Sequence, residues 1–386
     1  MNKIKLGDIC TIKGGYAFKS DCFVDNGVPI IRIGNITKNG INIDYDIGYV
    51  EEFWEENSIY RIEQNDILIA MSGATVGKSC INETENRLLL NQRVAAISCG
   101  ENTNYKYVFY NISSDAFAKY IEMNSVGCAQ PNISLKQIAD FKISDIPLEQ
   151  QNVIVEKIDS IESVIQYNNQ LLAVHDETIK SRFIEMFGEP LLNPKGWEIA
   201  KIGDVVTEVR YGTSRPAVEG GKYPYLRMNN LTADGHLDLT DLKYIDIPDN
   251  EIEKCIVRKG DVLFNRTNSV ELVGKTCVFD LDEEMVIAGY IIRVRLNEKV
   301  LSEFLSAYMN SAILKEHLRG MAKGAVNQAN INAQELQGIK IYLPPIELQQ
   351  QFAEFVKQVE KAKSVIKDQL AELETLKKSL MQKYFR

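Results

Sequence analysis

The sequence predicts an α+β fold: two tandem-repeat globular α/β domains separated by two long helices that pair as an antiparallel coiled coil with pseudo-two-fold symmetry. Three observations predict it. The chain repeats itself once along its length. The first part of each copy is filled with short apolar or alternating runs set between Gly, Asn and Asp turns, a strand pattern. Each copy then closes with a segment that begins at a proline, Pro147 or Pro345, and is free of Pro and Gly for about 40 residues.

The repeat is read from five aligned stretches in one order. LGDICTIKGGYAFKS from Leu6 matches IGDVVTEVRYGTSRP from Ile202, and VPIIRIGNIT from Val28 matches YPYLRMNNLT from Tyr223. NDILIAMSGATVGKS from Asn65 matches GDVLFNRTNSVELVGKT from Gly260. CAQPNIS from Cys128 matches NQANIN from Asn327, and IPLEQQNVIVEKID from Ile146 matches PPIELQQQFAEFVKQVE from Pro344. The offset drifts over a few residues around roughly 195, as loop insertions in a diverged duplication produce. The expected organisation is a globular domain over 1–146, a long helix over 147–187, a second globular domain over 188–344 and a second long helix over 345–386.

In chain order, VPIIRI, DILIAM and RVAAIS read as strands and SSDAFAKYIEMNS as a helix; DVLFN and YIIRVRL read as strands and SEFLSAYMNSAILKEHL as a helix. Asn132 and Asn330, just ahead of helical LKQIAD and AQELQG, suit N-caps. The first long segment carries a seam at Ile154, Ile158, Ile161, Ile165, Asn168, Leu172, His175, Ile179, Arg182 and Met186. The second carries Phe352, Val356, Val359, Lys363, Ile366, Leu370, Leu373, Lys377, Leu380 and Tyr384. Steps of four and three give a period near 3.5, that of paired helices. The polar breaks fall at different layers in the two copies and suit a role in register and direction. A helix of about 35 residues spans roughly 50 Å and serves as a rigid spacer.

The bulk numbers exclude several classes. The 386 residues are 45% hydrophobic and 25% charged, an ordinary globular balance. No apolar run is long enough to span a bilayer, and MNKIKLGDIC lacks a signal-peptide core. The seven cysteines form no C-x-x-C pair, which suits buried free thiols in a reducing cytoplasm. His175, His236 and His317 are dispersed, so no metal site is expected. The net charge of −9 and a pI near 5.2 argue against nucleic acid on average, but a DNA reader needs only a local basic surface.

MSGATVGKS, 71–79, has the look of a phosphate-binding loop, yet Gly73 and Gly77 are one residue too close for G-x-x-x-x-G-K-(S/T). The second copy keeps Val273-Gly274-Lys275-Thr276 but replaces the upstream glycine. No nucleotide site is expected. The dinucleotide fingerprint G-x-G-x-x-G is missing, Asn193-Pro194-Lys195-Gly196 does not match a methyltransferase motif, and PDNEIEK at 248–254 reads as a charged loop.

What remains in these loops is a set of hydrogen-bonding groups placed after strands. Arg suits guanine, Asn and Gln suit adenine, and Ser or Thr suit either. The candidate DNA-binding residues in the first copy are Tyr16, Lys19, Arg32, Asn35, Ser72, Thr75, Lys78, Arg93 and Gln130. In the second they are Tyr211, Thr213, Arg215, Arg227, Asn229, Asn265, Arg266, Thr267, Asn268, Lys275, Lys323, Asn327 and Gln328. Arg32 and Arg227 equally suit a carboxylate partner inside their own domain.

The LGD opening, the Pro-Leu-Glu-Gln-Gln helix that ends in SRFIEMFGEP, the passage NPKGWEIAKIGDVV, and the last helix from PPIELQQQFAEFV to LKKSLMQKYFR occur here in one order. In these the chain resembles, over nearly its full length, the specificity subunit of type I restriction–modification systems. The resemblance implies a non-catalytic subunit that binds double-stranded DNA, each target-recognition domain reading one part of a split target in the major groove. It implies helices that fix the unread gap. It also implies two methyltransferase subunits using S-adenosylmethionine and two restriction subunits using ATP and Mg2+, with no cofactor on this chain. A methylation-only or combined cleavage–methylation system would use the same subunit. A helical adaptor without DNA binding is the reading from another class.

Overall fold

The structure is a computed structural model that describes residues 2–38, 40–45, 47–52, 59–124, 131–322 and 329–386. The chain divides into two compact units, one formed by Met1–Tyr167 with Gln369–Arg386 and the other by Asn168–Asp368. Each unit contains a globular domain and parts of both long helices.

In the first unit one four-stranded sheet runs in the order Cys10–Gly14, Val94–Cys99, Ile67–Ala70, Ser79–Ile81. A second runs Gly48–Val50, Val28–Ile31, Leu88–Leu90, Arg61–Ile62, with a parallel pairing of Val28–Ile31 to Leu88–Leu90. Strand Ile67–Ala70 is buried at every position because both of its faces are covered. Ile67 and Ile69 enter a core with Tyr107, Phe117 and Ile138, whereas Leu68 and Ala70 enter another with Leu90 and Val94. Double burial is why DILIAM reads as continuously apolar and not alternating.

The second unit repeats this topology. Its sheets run Val206–Tyr211, Ile291–Leu296, Val262–Asn265, Thr276–Val278 and Lys243–Ile245, Tyr223–Leu226, Met285–Ile287, Ile256–Val257, the latter again with one parallel pair. Val262 and Phe264 face one core and Leu263 the other. Arg293 sits fully buried on strand Ile291–Leu296 and is bound by the Glu208 carboxylate and the Ile256 carbonyl.

Three local expectations change. The caps of the short helices Leu135–Asp140 and Ala333–Gly338 are Ser134 and Asn332. Asn132 and Asn330 instead lie in antiparallel bridges to Ser72 and Thr267. The segment SEFLSAYMNSAILKEHL forms two helices, Ser302–Asn310 and Ala312–Met321, because Ser311 stops one and accepts the Leu314 N–H to cap the next. PDNEIEK is not a loop: Asp249–Cys255 is a helix whose first turn carries Asp249 and Glu251, where acids oppose the helix dipole.

The long helices are Leu148–Phe187 and Ile346–Tyr384. Every seam position from Ile154 through Met186 and from Phe352 through Tyr384 is buried or half-buried. Both units show antiparallel pairing. In the first, Lys377 is ion-paired with Glu162, while Lys383 and Tyr384 line one cleft with Val153, Ile154 and Lys157. In the second, Lys363 binds Asp176, the Arg182 guanidinium lies over the Phe355 ring, and Phe183 and Phe187 pack on Phe352. The first helix stops at Gly188, whose φ of +85° is the left-handed conformation that ends helices.

One residue in each helix start explains the shared Pro-(Leu/Ile)-Glu-x-Gln pattern. Gln349, fully buried, accepts the Leu301 N–H at 2.9 Å and donates to the carbonyls of Lys299 and Pro344 at 3.0 and 2.9 Å. Gln151 does the same in the first unit, accepting from Asn104 N–H and donating to Ile146 O, each at 2.9 Å. The glutamine fastens the helix to the domain it leaves.

Candidate nucleic-acid interface

In each unit, separate loops are stitched by backbone hydrogen bonds into one surface beyond the strand ends. In the first, Tyr16 N–H donates to Leu90 O and Gln92 N–H to Tyr16 O, each at 2.9 Å. Met71 N–H donates to Arg93 O, and Met71 O accepts the Ile133 N–H, again at 2.9 Å. In the second unit, Gly289 N–H donates to Thr213 O at 2.7 Å, Arg266 N–H to Tyr290 O at 3.0 Å, and Arg266 O accepts the Ile331 N–H at 2.9 Å. Met71 and Arg266 therefore hold equivalent positions. The first crossing needs glycine in both copies. A Cβ on Gly15 would lie 2.2 Å from Leu90 O, and one on Gly212 would lie 2.1 Å from Ile287 O.

The hairpin after Ile67–Ala70 is not a phosphate cradle. Gly77 N–H donates to Ala70 O and Lys78 N–H to Thr75 O, so these amides close the turn on itself. The chain continues as strand Ser79–Ile81, so the loop does not lead into a helix as a phosphate loop does.

Tyr16, Lys19, Lys78 and Arg93 are exposed, with the Tyr16 ring packed against Phe18 and Tyr60 at 5.0 and 5.5 Å. Ser72 and Thr75 are half-buried and their hydroxyls have no partner among the described residues. Gln130, Lys323, Asn327 and Gln328 lie outside the described residues.

Several candidates turn out to be structural. Asn35 is buried; its Oδ1 accepts the Arg32 N–H and its Nδ2 donates to the Asn42 and Tyr45 carbonyls. Its structural counterpart is Asn230, which binds the Arg227 N–H and the Asp238 carbonyl. Asn229, one position earlier, is exposed. Lys275 is buried and donates to Met228 O at 2.7 Å, and burial lowers its pKa. Asn265 is buried and donates to the same carbonyl, and Thr267 is buried with its hydroxyl on Asn330 Oδ1. Each side chain takes part in holding a loop.

Other cations are neutralised by carboxylates. Arg215 makes a two-pronged pair with Glu251 at 2.9 and 3.1 Å, which lowers the Glu251 pKa. Arg227 binds Asp241 at 2.6 Å, the within-domain partner the sequence allowed for; Arg32 is half-buried. Thr213 Oγ1 accepts the Arg215 N–H, and Asn268 Oδ1 accepts the Ser269 N–H. Tyr211 and Arg266 stay at the surface as a stacked pair.

Sequence reasoning passed over a charged cluster around Lys363 of the second long helix. Lys363 Nζ lies 2.5 Å from Asp176, 2.8 Å from Glu360 and 3.0 Å from His236 Nε2. Asp176, His236 and Glu360 are close enough to hold a metal, but the lysine ammonium sits among them and is their cation. Burial opposes its charge, yet the bonds to Asp176 and Glu360 prevail and raise its pKa. The hint in the sequence was a lysine on an apolar seam. The six described cysteines are free thiols. Among the described residues no helix is long and apolar enough to cross a membrane.

Residues 1–174 and 194–375 match the family described as type I restriction modification DNA specificity domain. The chain is 25% identical over 421 residues to the type I restriction enzyme EcoKI specificity subunit of Escherichia coli strain K12, covering 98% of this chain and 87% of that one. It is 23% identical over 420 residues to the EcoBI specificity subunit of Escherichia coli, covering 100% and 85%. The type I restriction–modification S subunit from M. genitalium has a similar fold, with a TM-score of 0.58 at 13% identity over 100% of this chain and 96% of that one. A chain from a structure of the assembly and conformational transition of the type I R-M system gives 0.58 at 20% identity, over 100% and 97%.

Proposed function

The chain belongs to the type I restriction–modification DNA specificity family, and from that premise we propose that it is the DNA-binding specificity subunit of such a complex, each globular domain reading one half of a bipartite, asymmetric target. The observation that carries this reading is the repeated stitched surface. Matching backbone bonds hold Tyr16 and Arg93 in one copy and Thr213, Arg266 and Tyr290 in the other. One scaffold with two sets of side chains suits two unlike half-sites, by the logic that gives symmetric dimers palindromic sites. The described loops retain polar and basic side chains in both copies, which speaks against an adaptor that has abandoned DNA.

The long helices set the unread gap between the half-sites. They also dock two methyltransferase subunits, and the exposed Val153, Val164 and Tyr167 of the first unit and Val174 of the second offer apolar surface for this. The chain itself performs no bond-breaking step. Adenine methylation with S-adenosylmethionine, and cleavage with ATP and Mg2+ by two restriction subunits, belong to its partners in the cytoplasm. The test is co-expression with the methyltransferase partner in a methylation-free host and mapping of modified adenines. One split motif with a fixed gap is expected. A stable complex that leaves every adenine unmodified would overturn the proposal.

A further inference from the structure

Arg266 differs from four other arginines of its domain. Arg215 is held by Glu251, Arg227 by Asp241, Arg258 by Glu253 and Glu284, and Arg295 by Asp261. Arg266 has no carboxylate partner among the described residues. Its guanidinium carbon lies 4.8 Å from the centroid of the Tyr211 ring, and the Tyr211 hydroxyl is itself fixed by the Ala333 N–H at 2.8 Å. Nη1 makes only a long 3.4 Å bond to Gly289 O, and Nε is buried with no partner. The backbone is pinned on both sides by Tyr290 and Ile331. The result is a charged donor fork held against a fixed ring, with no carboxylate partner among the described residues and much of its side-chain freedom already lost.

Two in-line acceptors suit such a fork: the O6 and N7 of guanine, or two phosphate oxygens. The repeat favours the base. A phosphate contact depends on backbone position, and the two domains share that backbone, yet the equivalent position in the first domain is Met71. A cation on one copy and an apolar side chain on the other is the pattern of a sequence-reading position.

We propose that Arg266 is the residue through which the second domain recognises a guanine, by paired hydrogen bonds from its guanidinium to O6 and N7 in the major groove. This rests on the DNA-recognition reading above. Replacing guanine by 7-deazaguanine removes the N7 acceptor without altering the protein, so duplexes carrying that base at each target guanine in turn would be bound to the wild-type complex and to complexes with Arg266→Ala and Arg266→Lys. At one guanine the substitution should weaken wild-type binding about tenfold or more, and the same substitution should have no effect on the Arg266→Ala complex. Arg266→Lys keeps the charge but loses the fork and should lose most of that sensitivity. A mapped target with no guanine, or an Arg266→Ala complex that keeps full sensitivity at every guanine, overturns the assignment alone. So does an Arg266→Ala complex weakened equally on all sequences, which marks a phosphate contact. A wild-type complex with no motif at all removes the DNA reading and this assignment together.

Discussion

Gln349→Ala tests how the long helix is fastened to its domain. The side chain is fully buried and makes three hydrogen bonds, to Leu301 N–H and the carbonyls of Lys299 and Pro344. Truncation orphans all three backbone groups, each costing about 1–3 kcal/mol when no water replaces the partner. Allowing for a water in the space left behind, the loss is about 3–4 kcal/mol. Gln151 makes two such bonds, so Gln151→Ala should cost about 2 kcal/mol. Urea unfolding of the full chain gives the totals, and hydrogen exchange assigns them, the second unit opening in one variant and the first in the other. Gln349→Glu sharpens the test: it keeps the shape but offers no donor to two carbonyls and buries a charge. If Gln349→Glu is as stable as wild type, or Gln349→Ala loses under about 1 kcal/mol, the bonds are not what holds the junction.

Phe385 packs on Tyr107 and Tyr110 in the first unit, and Phe187 on Phe304 and Phe352 in the second; each Phe→Ala change should cost about 3–5 kcal/mol, with exchange protection lost only in its own unit. Lys363 titrates above the usual lysine value when folded, so its stabilisation is complete below the unfolded value of about 10.4 and fades as pH rises through the folded value. Wild type should therefore lose stability more steeply there than Lys363→Met in parallel thermal melts; equal slopes would deny the cluster that role. A matched seven-residue insertion in both long helices adds about 10 Å, or roughly three base pairs at 3.4 Å each, so the mapped motif should keep its half-sites and gain gap. Changed half-site bases would refute the spacer reading. Exchanging residues 1–146 for another such domain should replace one half-site only.

The duplication, the central strands and the helix seam were legible in the sequence because each is periodic or local. DILIAM and DVLFN show the length and apolarity of doubly covered strands, and four–three spacing places Ile158 and Phe352 inward whatever lies beyond. The failed phosphate loop was legible too, since a missing residue is a matter of spacing. The fate of the polar loop residues was not. That Arg215 meets Glu251 and Arg227 meets Asp241 shows only in three dimensions. Lys275 and Asn265 look available until the Met228 carbonyl meets both. The sequence alone determines the repeat, the period and the breaks, because those depend on neighbours along the chain. Only the tertiary structure decides which charges are left over, as with Arg266 on Tyr211 and Lys363 among its acids. That depends on partners distant along the chain, such as Tyr211 for Arg266 and Asp176 for Lys363.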